Sequence, residues 1–333
     1  MGPGITYRNE PDKTKHSFEG SALEFKYAGT EVQGWRLNME DAHLAVTNFG
    51  KDSSAALFGV FDGHGGSFNL YHCIGAAVSE FSKRRFPELL LKNSNYIAGN
   101  YEKALFETFL KIDEVLFTED GRDEIKFIHA EMNKRQQKNS TAKSPILVFG
   151  EESPEGEGCT ANVILIKKGF IYIANAGDSR SILAKNGIAT DLSIDHKPED
   201  DTEKSRILNA GGSITNGRID GNLNLSRSLG DLQYKKNPSL RPEEQKITAA
   251  PDTKKIAFEK GFDFIVMGCD GIYDSLTSQQ IVDIFYTEFK KNPQKKLVSI
   301  VEDFVDSLVS VDFMQTEGKG CDNMTCILIK FNK

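Results

Sequence analysis

Six acidic residues stand at or near the ends of apolar, strand-like runs, and carboxylates placed in this way can bind cations. The set comprises Glu40, Asp62, Asp178, Asp270, Asp274 and Asp322. Asp62 and Asp270 are each followed by glycine, and Asp-Gly is also a common turn dipeptide, because aspartate hydrogen-bonds its own backbone and glycine accepts a positive φ. One such aspartate alone is interpreted as a turn residue. Its recurrence after long apolar strands favours a chemical role.

A shared direction of these strands would bring their terminal carboxylates to one rim. Like charges a few ångströms apart raise each other's pKa, and a divalent cation relieves that conflict. Ligands that are all oxygen select Mg²⁺ or Mn²⁺ over Zn²⁺, and no D-x-[DN]-x-[DN]-G run of an EF-hand occurs. We therefore predict an open catalytic site, in which one bridging carboxylate could hold two ions ~3.5–4 Å apart and activate water against a phosphate ester.

Arg36 and His64 supply chemistry that a cation does not. The guanidinium of Arg36 offers a planar fork for phosphate oxygens. His64, two residues after Asp62, could protonate a leaving alkoxide. Taken singly, Arg36 would be interpreted as a surface ion pair and His64 as a structural histidine, so both alternatives stay open at this point.

Apolar periodicity predicts the elements that must position these residues. Strands are predicted at 56–61, 162–166, 170–174, 180–184, 264–267 and 324–331, and helices at 70–81, 101–112, 203–210, 277–289 and 297–308. Turn signals at Gly169 and at 185–187 indicate hairpins and therefore antiparallel pairing. The pattern predicts an α+β layered sandwich rather than a doubly wound parallel sheet.

Composition excludes several classes of function. A net charge of −7 argues against a nucleic-acid surface, and no apolar run reaches the ~18 residues of a membrane helix. Five cysteines without a C-x-x-C pair indicate reduced thiols in a cytoplasmic or nuclear protein. Gly2 fits the permissive myristoylation pattern, but we interpret the first residues as disordered or vector-derived. Residues 1–20 are predicted to be a flexible tail.

The rest of the chain, 21–333, is predicted to be one domain with two surface additions. Residues 131–158 are polar and rich in proline, glycine and serine, and we interpret them as an insertion. Residues 195–250 contain charged and proline-containing loops, which we interpret as a lid or flap. Residues 131–158, and residues 234–250 of the second stretch, carry no repeat and no chemical motif of their own.

An ordered series of motifs resembles the metal-dependent Ser/Thr protein phosphatases of type 2C. The blocks are GWRLNMEDAH, FDGHGG, GCTANVILI, IANAGDSRSIL, LSIDHKPED, RILNAGGSI, LNLSRSLGD, GCDGIYDSL and CDNMTCILI. The resemblance covers nearly the whole chain, and it implies a four-layer α/β/β/α sandwich of two antiparallel sheets flanked by helices. It also implies a monomeric enzyme that hydrolyses phosphoserine and phosphothreonine in proteins. The nucleophile would be a water or hydroxide bridging two Mn²⁺ or Mg²⁺ ions, without a phospho-enzyme.

The resemblance also implies a role for each matching residue. For the metal ions, Asp62 would bridge both, Asp270 and Asp322 would hold one, and Glu40 and the Gly63 carbonyl would serve the other. Asp178 and Asp274 match positions of a weaker third metal, and Asp41 would support the ligands. In catalysis, Arg36 would grip the phosphate and His64 would act as the general acid.

Three alternative functions fit the sequence less well. A catalytically inactive relative would serve as a binding module, but such proteins lose acidic ligands and all of them are present here. A serine hydrolase would need a G-x-S-x-G elbow, which does not occur. The stretch GEGCTA loosely resembles a dinucleotide fingerprint, but it follows a polar loop rather than a strand.

Overall fold

The computed structural model describes residues 7–22, 24–65, 75–139, 154–316 and 318–332, with side chains left out at 135–139. Four sequence predictions fall partly or wholly outside these residues. They are the modification at Gly2, positions 1–6 of the predicted tail, the first turns of the helix predicted at 70–81, and positions 140–153 of the predicted insertion.

Fifteen strands and eight helices lie in the described residues. The strands are β1 Tyr7–Ser21, β2 Phe25–Arg36, β3 Asp41–Thr47, β4 Ala56–Gly65, β5 Glu157–Cys159, β6 Ala161–Lys167, β7 Phe170–Ala176, β8 Arg180–Lys185, β9 Ile188–Asp191, β10 Ile214–Thr215, β11 Arg218–Ile219, β12 Leu229–Gly230, β13 Asp252–Ala257, β14 Phe262–Gly268 and β15 Met324–Phe331. The helices are α1 Gly75–Lys92, α2 Ser94–Ile97, α3 Tyr101–Phe117, α4 Glu119–Asn139, α5 Asp201–Asn209, α6 Asp270–Tyr273, α7 Ser278–Lys291 and α8 Leu297–Leu308.

Two large antiparallel sheets form the centre of the molecule. One has the order β1-β2-β15-β14-β8-β9, and the other has the order β12-β5-β4-β6-β7-β13 with β3 paired to β4. The predicted hairpins are confirmed, because β6 pairs with β7 and β8 pairs with β9. A two-stranded hairpin of β10 and β11 stands apart from both sheets.

The central strands β4, β6 and β7 of the second sheet are apolar on both faces, which explains why the sequence shows continuous apolar runs. On β6, Ile164 and Ile166 join the core between the sheets, whereas Val163 and Leu165 join the core beneath the outer helices. Successive side chains of a strand point to opposite faces, so each of these strands contributes to two cores. The run VILI is therefore a buried central strand.

Helices cover the outer face of each sheet. Helices α1 and α3 pack on the second sheet, and α8 packs on β1, β2 and β15 of the first. Helix α7 begins where the sequence predicted, because Thr277 and Gln280 form a capping box across its first turn. The arrangement of helix, sheet, sheet, helix confirms the predicted α+β sandwich. No helix among the described residues is both long and apolar enough to span a membrane.

The predicted flexible tail is wrong from Tyr7 onward. Strand β1 pairs with β2 at the edge of the first sheet, and side chains fasten it to α8. Lys15 Nζ lies 2.6 Å from a carboxylate oxygen of Asp306, and the Ser17 hydroxyl donates to Glu302 at 2.6 Å. Most β1 side chains are exposed and polar, so the strand has no apolar alternation in sequence. Backbone hydrogen bonds hold it instead.

The predicted insertion at 131–158 is also wrong at both of its ends. Residues 131–139 belong to α4, and 157–158 belong to β5, which pairs with β4 and β12. Helix α4 has a polar sequence because few of its residues, such as Ile125 and Ile128, reach the core. A helix with so narrow an apolar stripe gives a weak periodic signal.

Substitution of Phe58 on β4 tests the packing between the two sheets. Its ring is fully buried and contacts Phe25 and Tyr27 of the opposite sheet, at centroid distances of 5.9 and 5.1 Å. We expect Phe58→Ala to lower the free energy of unfolding by about 3–5 kcal/mol, because it leaves a cavity between the sheets. Urea-induced unfolding measures the change.

The matched control is Phe127→Ala on α4, where the ring is 59% exposed. It should change the free energy of unfolding by about 0.5 kcal/mol or less. Similar losses in the two variants would contradict the packing described here.

Candidate active site

The predicted acidic residues converge on one open cleft of about 750 Å³. Strands from both sheets end at this cleft, and its lining includes Arg36, Glu40, Asp62, Gly63, His64, Asp178, Asp270 and Asp322. Asp274 does not line it. This residue follows Asp270 by one turn of α6 and faces the adjoining depression, where burial raises the pKa of its carboxyl and Asp178 adds to that increase.

The glycines of the two Asp-Gly pairs let neighbouring backbone segments approach closely, and they do not form tight turns. Gly63 lies within β4, and a Cβ there would lie 2.5 Å from the carbonyl oxygens of both Glu40 and Gly75. A Cβ at Gly271 would lie 2.1 Å from the Asn323 carbonyl oxygen. Neither glycine has a positive φ. The glycines therefore allow the backbones that carry Asp62 and Asp270 to pack against neighbouring site segments.

Asn323 ties together segments that are nearly 300 residues apart in sequence. Its amide donates to the carbonyl oxygens of Gln33 and Asn38 at 2.8 and 2.9 Å, and its side-chain oxygen accepts the backbone N–H of Glu40 at 2.8 Å. The loop that carries Arg36 and Glu40 is thereby fixed beside Asp322. Sequence reasoning did not single out Asn323, although it lies in the CDNMT block.

Burial and mutual repulsion dominate the electrostatics of the cleft. Burial raises the pKa of Glu40 to about 7, and burial together with neighbouring aspartates raises the pKa values of Asp62 and Asp270 well above the ordinary range. Asp41 is paired with Asp62 across β3 and β4 and accepts the Thr325 hydroxyl at 2.7 Å; burial raises its pKa to about 7. The positive charge in and around the cleft therefore does not balance its carboxylates.

Two cations compensate only part of this charge. Arg36 Nη2 donates to Asp322 Oδ2 at 2.5 Å, and Lys197 forms an ion pair with the buried Asp178. Asp62 and Asp270 have no cationic partner within ion-pair distance among the described residues. The two carboxylates at the centre of the cleft are thus the least compensated.

A hydrogen-bonded relay holds His64 at the edge of the cleft. The His64 Nε2 atom lies 2.7 Å from Asp231 Oδ2, and the Ser228 hydroxyl donates to the same oxygen at 2.6 Å. Burial alone would lower the pKa of His64, but Asp231 and nearby acidic groups outweigh it and raise that pKa. Asp231 and Ser228 were missed from sequence, although both stand in the LNLSRSLGD block.

Part of the predicted flap lines the same cleft as Arg36. This segment contributes Arg218, Asn222, Asn224, Gln233 and Tyr234 to the lining of the cleft. The flap (residues 195–250) contains α5, the β10–β11 hairpin and β12. It has only a small apolar cluster of its own, built on Ile207, Ile219 and Ile247.

A buried ion-pair network anchors this flap. Glu203 of α5 is 1% exposed and contacts Arg206 and Arg227, each at 2.7 Å. Arg227 continues to Asp252 on β13 at 2.7 Å, and Arg206 donates to the Ser226 carbonyl oxygen. The flap wall is therefore fixed to the second sheet by charge rather than by a large apolar core.

Comparison with known proteins agrees with this arrangement of the cleft. A family model described as protein phosphatase 2C matches residues 25–307, which include all of the predicted site residues except Asp322. The chain belongs to the protein phosphatase 2C family. This confirms the resemblance stated from sequence.

Relatives within the protein phosphatase 2C family match nearly the full length of the chain. "Probable protein phosphatase 2C 6" of Paramecium tetraurelia is 45% identical over 331 residues, which is 99% of this chain and 100% of the relative. "Probable protein phosphatase 2C 21" of Arabidopsis thaliana is 36% identical and covers 98% of this chain and 93% of its own.

A solved structure supports the fold. The serine-threonine phosphatase 2C from Toxoplasma gondii superimposes with a TM-score of 0.65 over 99% of this chain and 100% of its own, at 18% identity. At that identity the likeness concerns the architecture alone.

The Glu203 network makes the stability of the protein sensitive to acid. Burial would raise the pKa of Glu203, but Arg227 and Arg206 outweigh it and lower that pKa from 4.5 to about 2. A depressed carboxyl pKa stabilises the fold fully above pH 4.5, and this contribution is lost as the pH falls through about 2. We expect Glu203→Gln to cost about 3–5 kcal/mol at pH 7, because two half-buried arginines lose the buried carboxylate that they share.

Urea-induced unfolding between pH 6 and pH 3 measures this effect. The wild type should lose stability more steeply than Glu203→Gln over that range, since the variant lacks the titrating group. Glu114→Gln on α3, whose side chain is 61% exposed, is the control and should follow the wild type. Parallel curves for Glu203→Gln and the wild type would contradict the assignment.

Proposed function

We propose that this protein hydrolyses phosphoserine and phosphothreonine in other proteins with the help of two Mn²⁺ or Mg²⁺ ions. Membership of the protein phosphatase 2C family supports a phosphatase. The observation that carries the proposal further is the convergence of uncompensated carboxylates beside Arg36 in one open cleft. An inactive binding module has no such support, because no member of the acidic set is replaced.

The donor set of the cleft fits hard divalent cations. Burial and repulsion disfavour the charged forms of Asp62 and Asp270, and a bound cation would reverse that penalty. In this proposal Asp62, Asp270, Asp322, Glu40 and the Gly63 carbonyl would together hold two such ions. Asp178 and Asp274 would hold a weaker third ion. When bound, such ions activate water as a nucleophile and neutralise charge on phosphoryl oxygens.

Arg36 is the residue proposed to orient the phosphate. One nitrogen of its guanidinium is engaged by Asp322, and that carboxylate with other acidic groups outweighs burial and raises the pKa of Arg36. The side chain therefore stays charged and is held at the end of β2. Its remaining N–H groups are available in a planar fork that suits two phosphate oxygens.

His64 is proposed to protonate the leaving alkoxide of serine or threonine. This step needs a protonated imidazole held in one orientation, and the Asp231 carboxylate favours both. The Ser228 hydroxyl in turn fixes the carboxylate. Asp231 acts as a positioning residue, since it reaches the cleft chemistry only through His64.

Removal of divalent cations tests the proposed function. We expect hydrolysis of p-nitrophenyl phosphate and of a phosphothreonine peptide in the presence of Mn²⁺ or Mg²⁺, and its loss in EDTA. Asp270→Asn should weaken Mn²⁺ binding measured by calorimetry, whereas Asp123→Asn, an exposed position on α4, should not. Full activity in EDTA, or none with excess Mn²⁺, would refute the proposal.

The roles of His64 and Asp231 are tested by varying the leaving group. His64→Ala should slow a phosphoserine peptide by about 10²–10⁴-fold, because serine alkoxide needs a proton, but should slow p-nitrophenyl phosphate much less. Asp231→Asn should act in the same direction, through kcat more than KM. An equal loss on both substrates would assign these residues to the metal site instead, and an unfolding curve of each variant controls for folding.

A further inference from the structure

A second large cleft lies at the opposite end of the first sheet from the active site. It has a volume of about 960 Å³ and is lined by the start of β2, the end of β15, the start of β14 and the connection between α7 and α8. Lys26, the second residue of β2, lines this cleft, whereas Arg36 ends the same strand at the active site. At ~3.3 Å per residue, the two sites are about 30 Å apart.

The distal cleft combines an aromatic floor with a basic rim. Its lining includes the rings of Tyr27, Phe264, Phe289 and Phe331 and the side chains of Lys26, Lys290, Lys295, Lys296 and Lys330. Only two acidic residues, Glu19 and Asp263, line it among the described residues. This local excess of positive charge occurs in a chain whose net charge is −7.

Three of the lysines at the rim form no ion pair within the described part of the chain. Lys295 pairs with Asp303 and lies 3.7 Å from Glu288. Lys26, Lys290 and Lys296 are exposed, and no carboxylate within the described part of the chain forms an ion pair with them.

Of the other charged residues that line the distal cleft, Glu19 is exposed, whereas Asp263 and Lys330 have partners within the fold. Asp263 accepts the Tyr286 hydroxyl and the backbone N–H of Asn186. Lys330 Nζ lies 3.7 Å from the centre of the Phe289 ring. The three exposed lysines therefore present a positive surface around the rings.

We propose that this distal cleft binds an acidic segment of a partner protein that carries an apolar anchor residue. The aromatic floor offers an apolar surface for the anchor, and the lysines offer partners for flanking glutamates or aspartates. Charge complementarity selects this occupant, because the rest of the acidic protein surface would repel it.

A membrane surface fits the cleft less well than a peptide. The floor rings of Phe264 and Phe331 are 1% and 3% exposed and lie at the bottom of a concavity. Peripheral membrane proteins instead present protruding apolar side chains beside their basic residues. None of the large exposed apolar residues of the described structure lines this cleft.

Binding of a labelled peptide tests the proposal without any turnover. The probe is a fluorescein-labelled octapeptide of six glutamates, one phenylalanine and one leucine, followed by fluorescence anisotropy at low salt. We expect the triple variant Lys26→Glu, Lys290→Glu, Lys296→Glu to weaken binding by about tenfold or more, because three positive charges at the cleft become negative. Replacing the glutamates of the probe by glutamines should abolish binding.

A matched control separates the cleft from net charge. The triple variant Lys13→Glu, Lys92→Glu, Lys204→Glu makes the same change in net charge at exposed lysines elsewhere, and it should bind the probe within about twofold of the wild type. Equal weakening in the two triple variants, or no binding by the wild type, would overturn the proposal. Co-sedimentation with phosphatidylserine vesicles without peptide binding would overturn it too, in favour of a lipid surface.

A tethered substrate connects the distal cleft to the proposed phosphatase activity. The acidic octapeptide is joined to a phosphothreonine peptide by a Gly/Ser linker of about 30 residues, whose r.m.s. length of about 30 Å spans the two sites. It should lower KM in the wild type and in the control triple variant, but not in the cleft variant. This arm depends on the proposed function; the anisotropy measurement does not, so the two can fail separately.

Discussion

Repulsion among buried carboxylates is the constraint on which the arrangement of this protein depends. Asp62 and Asp270 face each other's charge with no cationic partner among the described residues, and burial removes the water that would screen them. Such a cluster opposes folding by itself. The surrounding contacts must hold it closed: the tight packing at Gly63 and Gly271, the hydrogen bonds of Asn323, and the pairing of Arg36 with Asp322.

The sandwich can sustain this cost because its central strands, such as β4 and β6, are buried on both faces. Phe58 and Ile164 fill the space between the sheets, while Leu57 and Leu165 fill the space beneath α1 and α3. Each strand therefore contributes apolar burial twice, and this burial fixes the strand ends at which the aspartates stand. The flap lacks such a core, and the Glu203 network replaces it with a few directional ion pairs.

The acidic set, the main strands and the layered fold could be predicted because their signals are local: apolar runs, turn residues and motif order. The contacts that assemble the site could not. Asn323 and Asp231 act on residues far away in sequence, so neither spacing nor periodicity marks them, although both stand inside recognisable blocks. Strand β1 was missed for a related reason, because an exposed edge strand held by backbone hydrogen bonds needs no apolar alternation.

The rigidity of the first sheet determines how the distal cleft could influence catalysis at the active site. Strands β2, β14 and β15 run from one site to the other and are packed against neighbours along most of their length. A densely packed sheet of this kind does not deform gradually, so a peptide bound near Lys26 would transmit little displacement to Arg36. Its effect would instead come from tethering, which raises the local concentration of a phosphorylated segment without any change in the cleft. Docking of this kind alters KM rather than kcat, because the acidic residues and His64 keep their geometry.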